Sequence, residues 1–259
     1  MNSQNDTDRL LLSVVIITLN VEQSISKCLQ SVAVADEIIV VDSGSTDKTC
    51  AMAQEFGARV IHQDWLGYGG QKQFAVDQAR HDWVLCLDAD EWLSKELSDS
   101  IAVTMGDPQH KAYEFARCNR FLGRWLRHGE GYPDYNLRLY HRKYAAWTLD
   151  PVHEHVEANT DVGRLSGDLM HESEEGLERY LQKQNRYTSL QARALFEQGK
   201  KFSLVKMLFS PVIRFIKFYL IRSGWRDGMP GLIHISIGCF NTYMKNAKLW
   251  ALNKEINQP

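Results

Sequence analysis

The 259-residue chain lacks the signatures of several common protein classes. Its five cysteines are scattered and no two have metal-ligand spacing, which argues against a zinc finger or a disulfide framework. No G-x-G-x-x-G turn follows the first predicted strand, and no G-x-x-x-x-G-K-[ST] motif occurs. Dinucleotide-binding and P-loop classes therefore lose their main support. The polar start, Met1 to Arg9, has no basic segment leading into an apolar run, so we expect no secretory signal.

Charge is unevenly distributed along the chain. Residues 1–199 contain 20 Lys and Arg against 30 Asp and Glu, whereas residues 200–259 contain 10 against 2. An acidic body with a basic, apolar tail is typical of a protein attached to an anionic membrane surface. Because no nucleic-acid recognition motif accompanies the basic residues, we expect no nucleic-acid partner.

Apolar runs in the first ninety residues predict buried strands separated by helices. The runs are Leu10 to Leu19, Glu37 to Val41, Arg59 to His62 and Trp83 to Leu87, with a helix from about Gly70 to Arg80 before the last. Strands that alternate with helices in this way indicate βαβ units and a doubly wound, parallel α/β sheet.

Polar residues follow three of these strands, where such sheets bind ligands. Asn20, Asp42 and the pair Asp88 and Asp90 all stand at predicted carboxyl ends. If the chain stays extended, Asp88 and Asp90 face the same side and can share one ion. Mg²⁺ or Mn²⁺ would relieve their repulsion and often bridges to substrate phosphates. The alternative is a solvated acidic turn after a strand.

A glycine-rich turn, Gly67 to Lys72, precedes the fourth strand. Its N–H groups and Lys72 can approach a phosphate, although a flexible loop before a helix explains the same residues. Further on, Ala112 to Arg117 predicts an edge strand and Leu137 to His141 another strand.

Two candidate catalytic or metal-binding positions lie in the second half of the chain. Glu154, in the segment Pro151 to Glu157, is a single carboxylate suited to a general base. His171 is a candidate remote metal ligand, with a structural histidine as the alternative. The segment does not have the i, i+4 spacing of a zinc helix.

The basic tail begins after a predicted helix at Glu178 to Phe196. From Leu204 to Ile221 it predicts an amphipathic helix, in which Pro211 is either a first helical position or a kink. From Pro211 to Arg222 the helix is only ~18 Å long, short of a bilayer core of ~30 Å, and its interior charges oppose insertion. We therefore expect it to lie in the membrane interface. Packing against the body or a second subunit is the alternative.

Three ordered stretches resemble the family-two glycosyltransferases, which have a GT-A nucleotide-diphospho-sugar fold. They are Ser13 to Asn20, Ile38 to Thr49 and Leu87 to Glu91. Looser matches at Trp65 to Gly69, at Val152 to Glu154 and in the helix around Arg186 and Tyr187 resemble the lipopolysaccharide-core branch. That branch includes β-1,4-glucosyltransferases acting on inner-core heptose.

The resemblance implies an inverting, metal-dependent transfer of a hexose, with UDP-glucose as the expected donor and a lipid-linked saccharide as acceptor. Asp42 matches the position that contacts uracil and ribose, and Asp88 and Asp90 match the metal-binding D-x-D. Many family members carry the base in a Glu-Asp pair. No such pair occurs after residue 100, and we expect Glu154 to take that role.

These inferences together predict a GT-A domain with a Rossmann-like mixed sheet at residues 1–199, with a donor-binding half at about 10–105 and an acceptor half at about 106–199. Residues 200–259 form the helical, membrane-associating extension. We expect a cytoplasmic enzyme, peripheral on the inner face of a bacterial inner membrane. Two alternatives remain: a phosphatase of the haloacid-dehalogenase type, which also uses D-x-D, and a non-catalytic sugar-nucleotide-binding protein.

Overall fold

The computed structural model describes residues 9–149, 154–173 and 176–256, with the backbone alone for the last two. It divides into two compact units. The first comprises residues up to Arg117 together with Asp134–His171, and the second comprises Cys118–Pro133 and the residues from Glu172 onwards.

The first unit is built on alternating strands and helices. In chain order these are β1 (Leu12–Thr18), α1 (Ile25–Ser31), β2 (Glu37–Asp42), α2 (Thr49–Glu55), β3 (Arg59–His62), α3 (Tyr68–Asp77), β4 (Trp83–Asp88), β5 (Glu91–Leu93) and α4 (Lys95–Gly106). The next strands are β6 (Ala112–Phe121), β7 (Arg124–Trp125), β8 (Asp134–His141), β9 (Ala145–Trp147), β10 (Val156–Ala158) and β11 (Val162–His171), of which β6 continues into the second unit and β7 belongs to it.

The main sheet has the strand order β3-β2-β1-β4-β8-β6-β11-β5. Strands β3, β2, β1 and β4 are parallel, whereas β8 pairs antiparallel with both β4 and β6. Two apolar clusters cover the sheet, because successive residues of a strand point to opposite faces. Val14 and Ile16 pack with α1, α2 and α4, and Val15 packs with α3 and β9. The predicted α/β class is confirmed.

The second unit is mostly helical. Its helices are α5 (Leu177–Glu197), α6 (Leu204–Phe215), a π-helical turn (Ile216–Ile221), a 3₁₀ turn (Gly224–Asp227) and α7 (Gly228–Ile256). Buried Asp227 accepts hydrogen bonds from the backbone N–H groups of Arg127 and His128 at 2.9 and 2.8 Å, which ties the 118–133 segment to the 3₁₀ turn. Helix α7 packs against both α5 and α6.

Three local expectations need correction. The chain does not stay extended between Asp88 and Glu91, because residues 89 and 90 form a turn between β4 and β5. The strand at Ala112 is not at an edge, since β6 lies between β8 and β11. Pro211 is inside α6 rather than at its start, and the Ser203 side chain caps that helix. No helix in the described part of the chain is long and apolar enough to cross a membrane.

The predicted boundary at residue 200 separates two proposed functions, whereas the two compact units are defined by how their residues pack. Residues 118–133 and 172–199 group with the C-terminal helices in that division. The assignment of residues 1–199 to a transferase domain and of 200–259 to a tail therefore stays a prediction.

Candidate active site

The site lies where the strand order of the parallel sheet reverses. From β1 the chain adds β2 and β3 on one side and β4 on the other, so the carboxyl ends of β1, β2 and β4 surround a crevice. In the sheet register, Thr18 of β1 is level with Asp42, and Ile17 is level with Asp88. Two of the predicted acidic residues therefore flank the end of the same central strand.

Asp42 is enclosed by its own loop. Its carboxylate accepts hydrogen bonds from the Thr18 hydroxyl at 2.9 Å and from the N–H groups of Gly44 and Ser45 at 2.9 and 2.7 Å. Burial raises the pKa of Asp42, but the hydrogen bonds, led by that from the Ser45 hydroxyl, outweigh it and the pKa falls. Asn20 holds the same loop, because its side-chain oxygen accepts the Thr46 N–H at 2.8 Å.

Asp88 is held by two cations. Lys72 Nζ, from α3, lies 3.0 Å from one carboxylate oxygen, and Arg138 Nη2, from β8, lies 3.4 Å from the other. Burial alone would raise the pKa of Asp88, but the charges of Lys72 and Arg138 bring it well below its usual range. Asp88 is therefore an ionised acceptor at neutral pH.

Behind Asp88 lies a buried network centred on Glu91. Its fully buried carboxylate accepts the Asp88 N–H at 3.0 Å and lies 3.3 Å from Arg138 and 3.5 Å from Arg117. Lys72 and Arg138 also lie over the Trp147 ring, 4.7 and 5.2 Å from its centroid. The network fixes the turn at residues 89 and 90, which follows Asp88.

Asp90 points to a different partner. Its Oδ2 lies 3.3 Å from His171 Nε2, since His171 ends β11 level with Glu91 of β5. A carboxylate and an imidazole this close are suitable donors for Mn²⁺. Among the described residues no three His, Cys, Asp or Glu side chains cluster as a complete protein cage. Two protein ligands fit a cation that takes its other ligands from a diphosphate and water.

Glu154 lies beside Lys72, with 3.9 Å between Glu154 Oε1 and Lys72 Nζ. Helix α3 approaches the Glu154 segment closely at Gly69. A Cβ on Gly69 would lie 2.1 Å from the Thr148 carbonyl oxygen and 3.5 Å from Glu154 Cβ. Only glycine fits there, so the first turn of α3 fixes the distance from Lys72 to Glu154.

Comparison with known proteins identifies the family. The model of glycosyl transferase family 2 matches residues 13–159, more than half of the chain. The chain belongs to glycosyl transferase family 2. Two relatives cover most of its length. An uncharacterised glycosyltransferase of Rickettsia typhi is 36% identical, over 93% of this chain and 87% of its own. The lipopolysaccharide core biosynthesis glycosyltransferase LpsC of Rhizobium meliloti is 32% identical, over 93% of each.

A solved structure supports the fold of this family-2 glycosyltransferase. The mannosyltransferase PcManGT of Pyrobaculum calidifontis, solved with GDP-Man and Mn²⁺, matches with a TM-score of 0.52 and 14% identity. The match covers 96% of this chain and 87% of that chain. The predicted GT-A fold with a helical C-terminal extension is confirmed, and family membership favours a transferase over a phosphatase or a non-catalytic binder.

The predicted site residues of this glycosyltransferase form two groups and a loop. Asp88, Lys72 and Glu154 lie together, and Asp90 lies with His171. Asp42 ends β2 and Asn20 follows β1, and both accept hydrogen bonds from the loop after β2. His153 of the resembling segment lies outside the described residues. Their catalytic and binding roles stay predictions.

Sequence reasoning missed the residues that hold this site together. Glu91 is part of the D-x-D stretch but received no role, and Arg138 and Trp147 received none either. The Nε and Nη1 atoms of Arg138 are buried and have no hydrogen-bond partner within the described residues. Arg138 lies in a strand with an apolar face, so a charged residue flanked by leucines was the available signal.

Proposed function

We propose that this family-2 glycosyltransferase transfers a hexose, with UDP-glucose as the expected donor, onto a lipopolysaccharide inner-core heptose or a similar lipid-linked acceptor, with inversion. The observation that carries the proposal is the adjacency of Asp88, Lys72 and Glu154 at the carboxyl edge of the sheet, next to the Asp90 and His171 pair. The similarity to LpsC supports the choice of acceptor.

Inversion requires a single displacement, in which a base takes the proton of the acceptor hydroxyl as that oxygen attacks the sugar. Glu154 is proposed as this base. Its side chain is 23% exposed, enough to meet an incoming hydroxyl, and its Oε1 lies 3.9 Å from Lys72 Nζ. Asp88, ionised by Lys72 and Arg138, is proposed to accept hydrogen bonds from donor hydroxyls.

The leaving group is a nucleoside diphosphate, whose negative charge increases as the bond to the sugar breaks. Of the three predicted metal ligands, Asp88 is paired with Lys72 and Arg138, so Asp90 and His171 are the residues proposed to hold Mg²⁺ or Mn²⁺, which when bound would stabilise that charge. Lys72 is a second cationic group within the site and is proposed to contact a donor phosphate. Asp42 and Asn20 are proposed to line the nucleoside end of the donor.

The proposed membrane partner is supported by the chemistry of one segment. From Gln198 to Arg226 the chain has seven Lys and Arg residues and no Asp or Glu. Large apolar side chains exposed at helical spacing define the apolar face of α6 and the turn after it: Leu204, Val205, Leu208, Phe209, Val212, Ile213, Ile216, Leu220 and Ile221. Such a face flanked by cations fits an anionic lipid interface. We therefore propose a peripheral position on the cytoplasmic face of the inner membrane.

The test is UDP release from UDP-glucose with Mn²⁺ and deacylated lipopolysaccharide core as acceptor. Glu154→Gln should lower kcat by about 10²- to 10⁴-fold, the usual contribution of a general base, while UDP binding is retained. The matched control is Glu157→Gln, three residues away on β10 and 74% exposed, which should keep its activity. Wild-type kcat in Glu154→Gln would remove Glu154 from the mechanism. A wild-type enzyme that transfers from no UDP-sugar would remove the donor class.

A further inference from the structure

We propose that Trp65 and Tyr68 form an aromatic platform on which a sugar ring of the saccharide acceptor stacks. The inference rests on the proposed function, in particular on Glu154 as the base that meets the acceptor hydroxyl. The two rings form an edge-to-face pair, with centroids 4.8 Å apart and an interplanar angle of 88°.

The side chains of the platform are exposed to solvent although they are large and apolar. Trp65, Leu66 and Tyr68 are 50%, 52% and 59% exposed, so three large side chains within four residues lie in solvent. Contiguous apolar patches of this kind mark interaction sites rather than ordinary surface. An edge-to-face contact covers only part of the two rings, and the remaining ring faces suit the C–H face of a pyranose whose hydroxyls stay in water.

A buried amide holds the platform loop in place. The fully buried Gln71 side chain donates to the Ser43 hydroxyl at 3.0 Å and to the Gln63 carbonyl at 3.1 Å. Its oxygen accepts the Leu66 N–H at 3.3 Å. The loop is therefore fixed from below, which lowers the entropic cost of binding a ligand on the rings above.

Tyr68 of the platform lies in the same helix, α3, as the residues that contact the proposed base. Tyr68 precedes Gly69, the residue whose missing Cβ lets α3 pack against Thr148 and Glu154. Tyr68 and Lys72 are four residues apart in α3 and so share a face of the helix, and Lys72 Nζ is 3.9 Å from Glu154 Oε1. This shared start of α3 is the basis for proposing that an acceptor whose hydroxyl reaches Glu154 has its ring on the platform.

We assign the acceptor, not the nucleotide, to the platform because the residue proposed to line the nucleoside end of the donor, Asp42, has different surroundings. Asp42 is 3% exposed and enclosed by hydrogen bonds of its own loop, whereas the platform rings are open. Solvent-exposed rings suit a ligand that enters and leaves with each turnover, and an aromatic surface tolerates several sugars.

The binding test uses the full chain labelled with fluorotryptophan. The ¹⁹F signal absent from Trp65→Phe identifies Trp65. Deacylated inner-core oligosaccharide should shift this signal in a saturable way, and UDP alone should leave it in place. A signal that moves with UDP but not with the oligosaccharide would make the rings a nucleotide platform and overturn the inference.

The kinetic test compares steady-state constants of the double variant Trp65→Ala/Tyr68→Ala with wild type. We expect KM for the oligosaccharide to rise about tenfold, the size expected from two lost ring contacts, and KM for UDP-glucose to stay within about twofold. Trp65→Phe/Tyr68→Phe should recover most of the loss. Phe56→Ala, a 41% exposed aromatic after α2, is the matched control and should behave as wild type.

Two further outcomes separate this inference from the proposed function. If wild type transfers sugar and the double variant keeps its acceptor KM, or loses only binding to liposomes, the platform is wrong and the function stands. If the oligosaccharide shifts the Trp65 signal but wild type transfers from no donor, the proposed function is wrong and the platform stands.

Discussion

Two regions of the chain depart from ordinary burial in opposite directions. At the carboxyl edge of the sheet, charges are inside: Glu91 is fully buried, and Lys72 and Arg138 are 6% and 4% exposed. On the apolar face of α6, hydrocarbon is outside: Leu208 and Ile213 are 51% and 63% exposed. The first region lies in the first compact unit and the second in the other.

The comparison shows how a departure from the usual pattern indicates the kind of ligand. Buried charges are stable only when paired, and Lys72, Arg138, Asp88 and Glu91 are paired with each other, which gives a rigid site for a charged small molecule. Exposed apolar side chains have no such pairing, and their free energy falls only when another apolar phase covers them. The first region suits chemistry and the second suits a surface.

The largest effect should come from Asp90, the carboxylate nearest His171. Asp90→Ala removes one of two proposed ligands for the cation that stabilises the leaving diphosphate, so kcat should fall about 10³-fold. Because Asp90 is 32% exposed, the free energy of unfolding should change little. Mn²⁺ titration of UDP release in the variant measures this.

The control for Asp90→Ala is Asp99→Asn, an acidic residue of α4 that pairs with exposed Lys95. This variant should keep wild-type kcat. Retention of metal-dependent transfer by Asp90→Ala would show that the enzyme transfers sugar without Asp90 as a cation ligand, and the proposed metal site would be wrong.

The second largest effect concerns stability. Arg138→Met leaves Glu91 and Asp88 with one fewer buried partner each, and breaking such a pair costs about 3 kcal/mol. Urea unfolding should show the loss. Arg142→Met, which breaks the half-exposed contact to Asp82, should cost less than about 1 kcal/mol. Equal losses in the two variants would mean that burial adds nothing to the Arg138 network.

Sequence predicted the parallel half of the sheet because its signal is local. Val- and Ile-rich runs such as β1 predict buried parallel strands, and the polar residues that end β2 and β4, Asp42 and Asp88, lie at one edge of such a sheet. The roles of Glu91 and Arg138 were not predictable, since Arg138 is separated from Asp88 by about fifty residues of chain and their contact depends on β8 pairing with β4.

The extended D-x-D was wrong for a related reason. Alternation predicts a shared side only while a strand continues, and the chain turns at residues 89 and 90 because the Glu91 carboxylate accepts the Asp88 N–H. Asp88 consequently meets Lys72, and Asp90 meets His171. The sequence pattern identified both carboxylates. It could not show that they have different partners, because those contacts depend on the tertiary structure.

A smaller effect is expected on the apolar face of α6. Leu208→Ser/Ile213→Ser should weaken binding to vesicles containing anionic lipid about tenfold, without lowering the free energy of unfolding, because these side chains contribute little to the folded core. Co-sedimentation at low and high salt measures it, and salt should weaken wild-type binding. The control is Val103→Ser, which changes an exposed apolar side chain of α4. Unchanged binding with lower stability would mean that the face packs on protein.

The smallest effect, about 1 kcal/mol, is expected at Asp42 and depends on pH. Its lowered pKa means that the ionised form stabilises the fold above the unfolded pKa of about 4, and that this stability is lost as pH falls through the lower folded pKa. In wild type, Oδ2 of Asp42 accepts the Gly44 and Ser45 N–H groups and Oδ1 accepts the Thr18 and Ser45 hydroxyls. Asp42→Asn replaces one of these oxygens by an NH₂ group, so it should be less stable at pH 7. Urea midpoints of variant and wild type should converge in acid, because the wild-type carboxylate then also loses its charge. A difference in urea midpoint that stays constant across pH would assign the loss of stability to packing rather than to the charge of Asp42. The stability contributed by this buried carboxylate would then be independent of pH, as is that of the apolar face of α6.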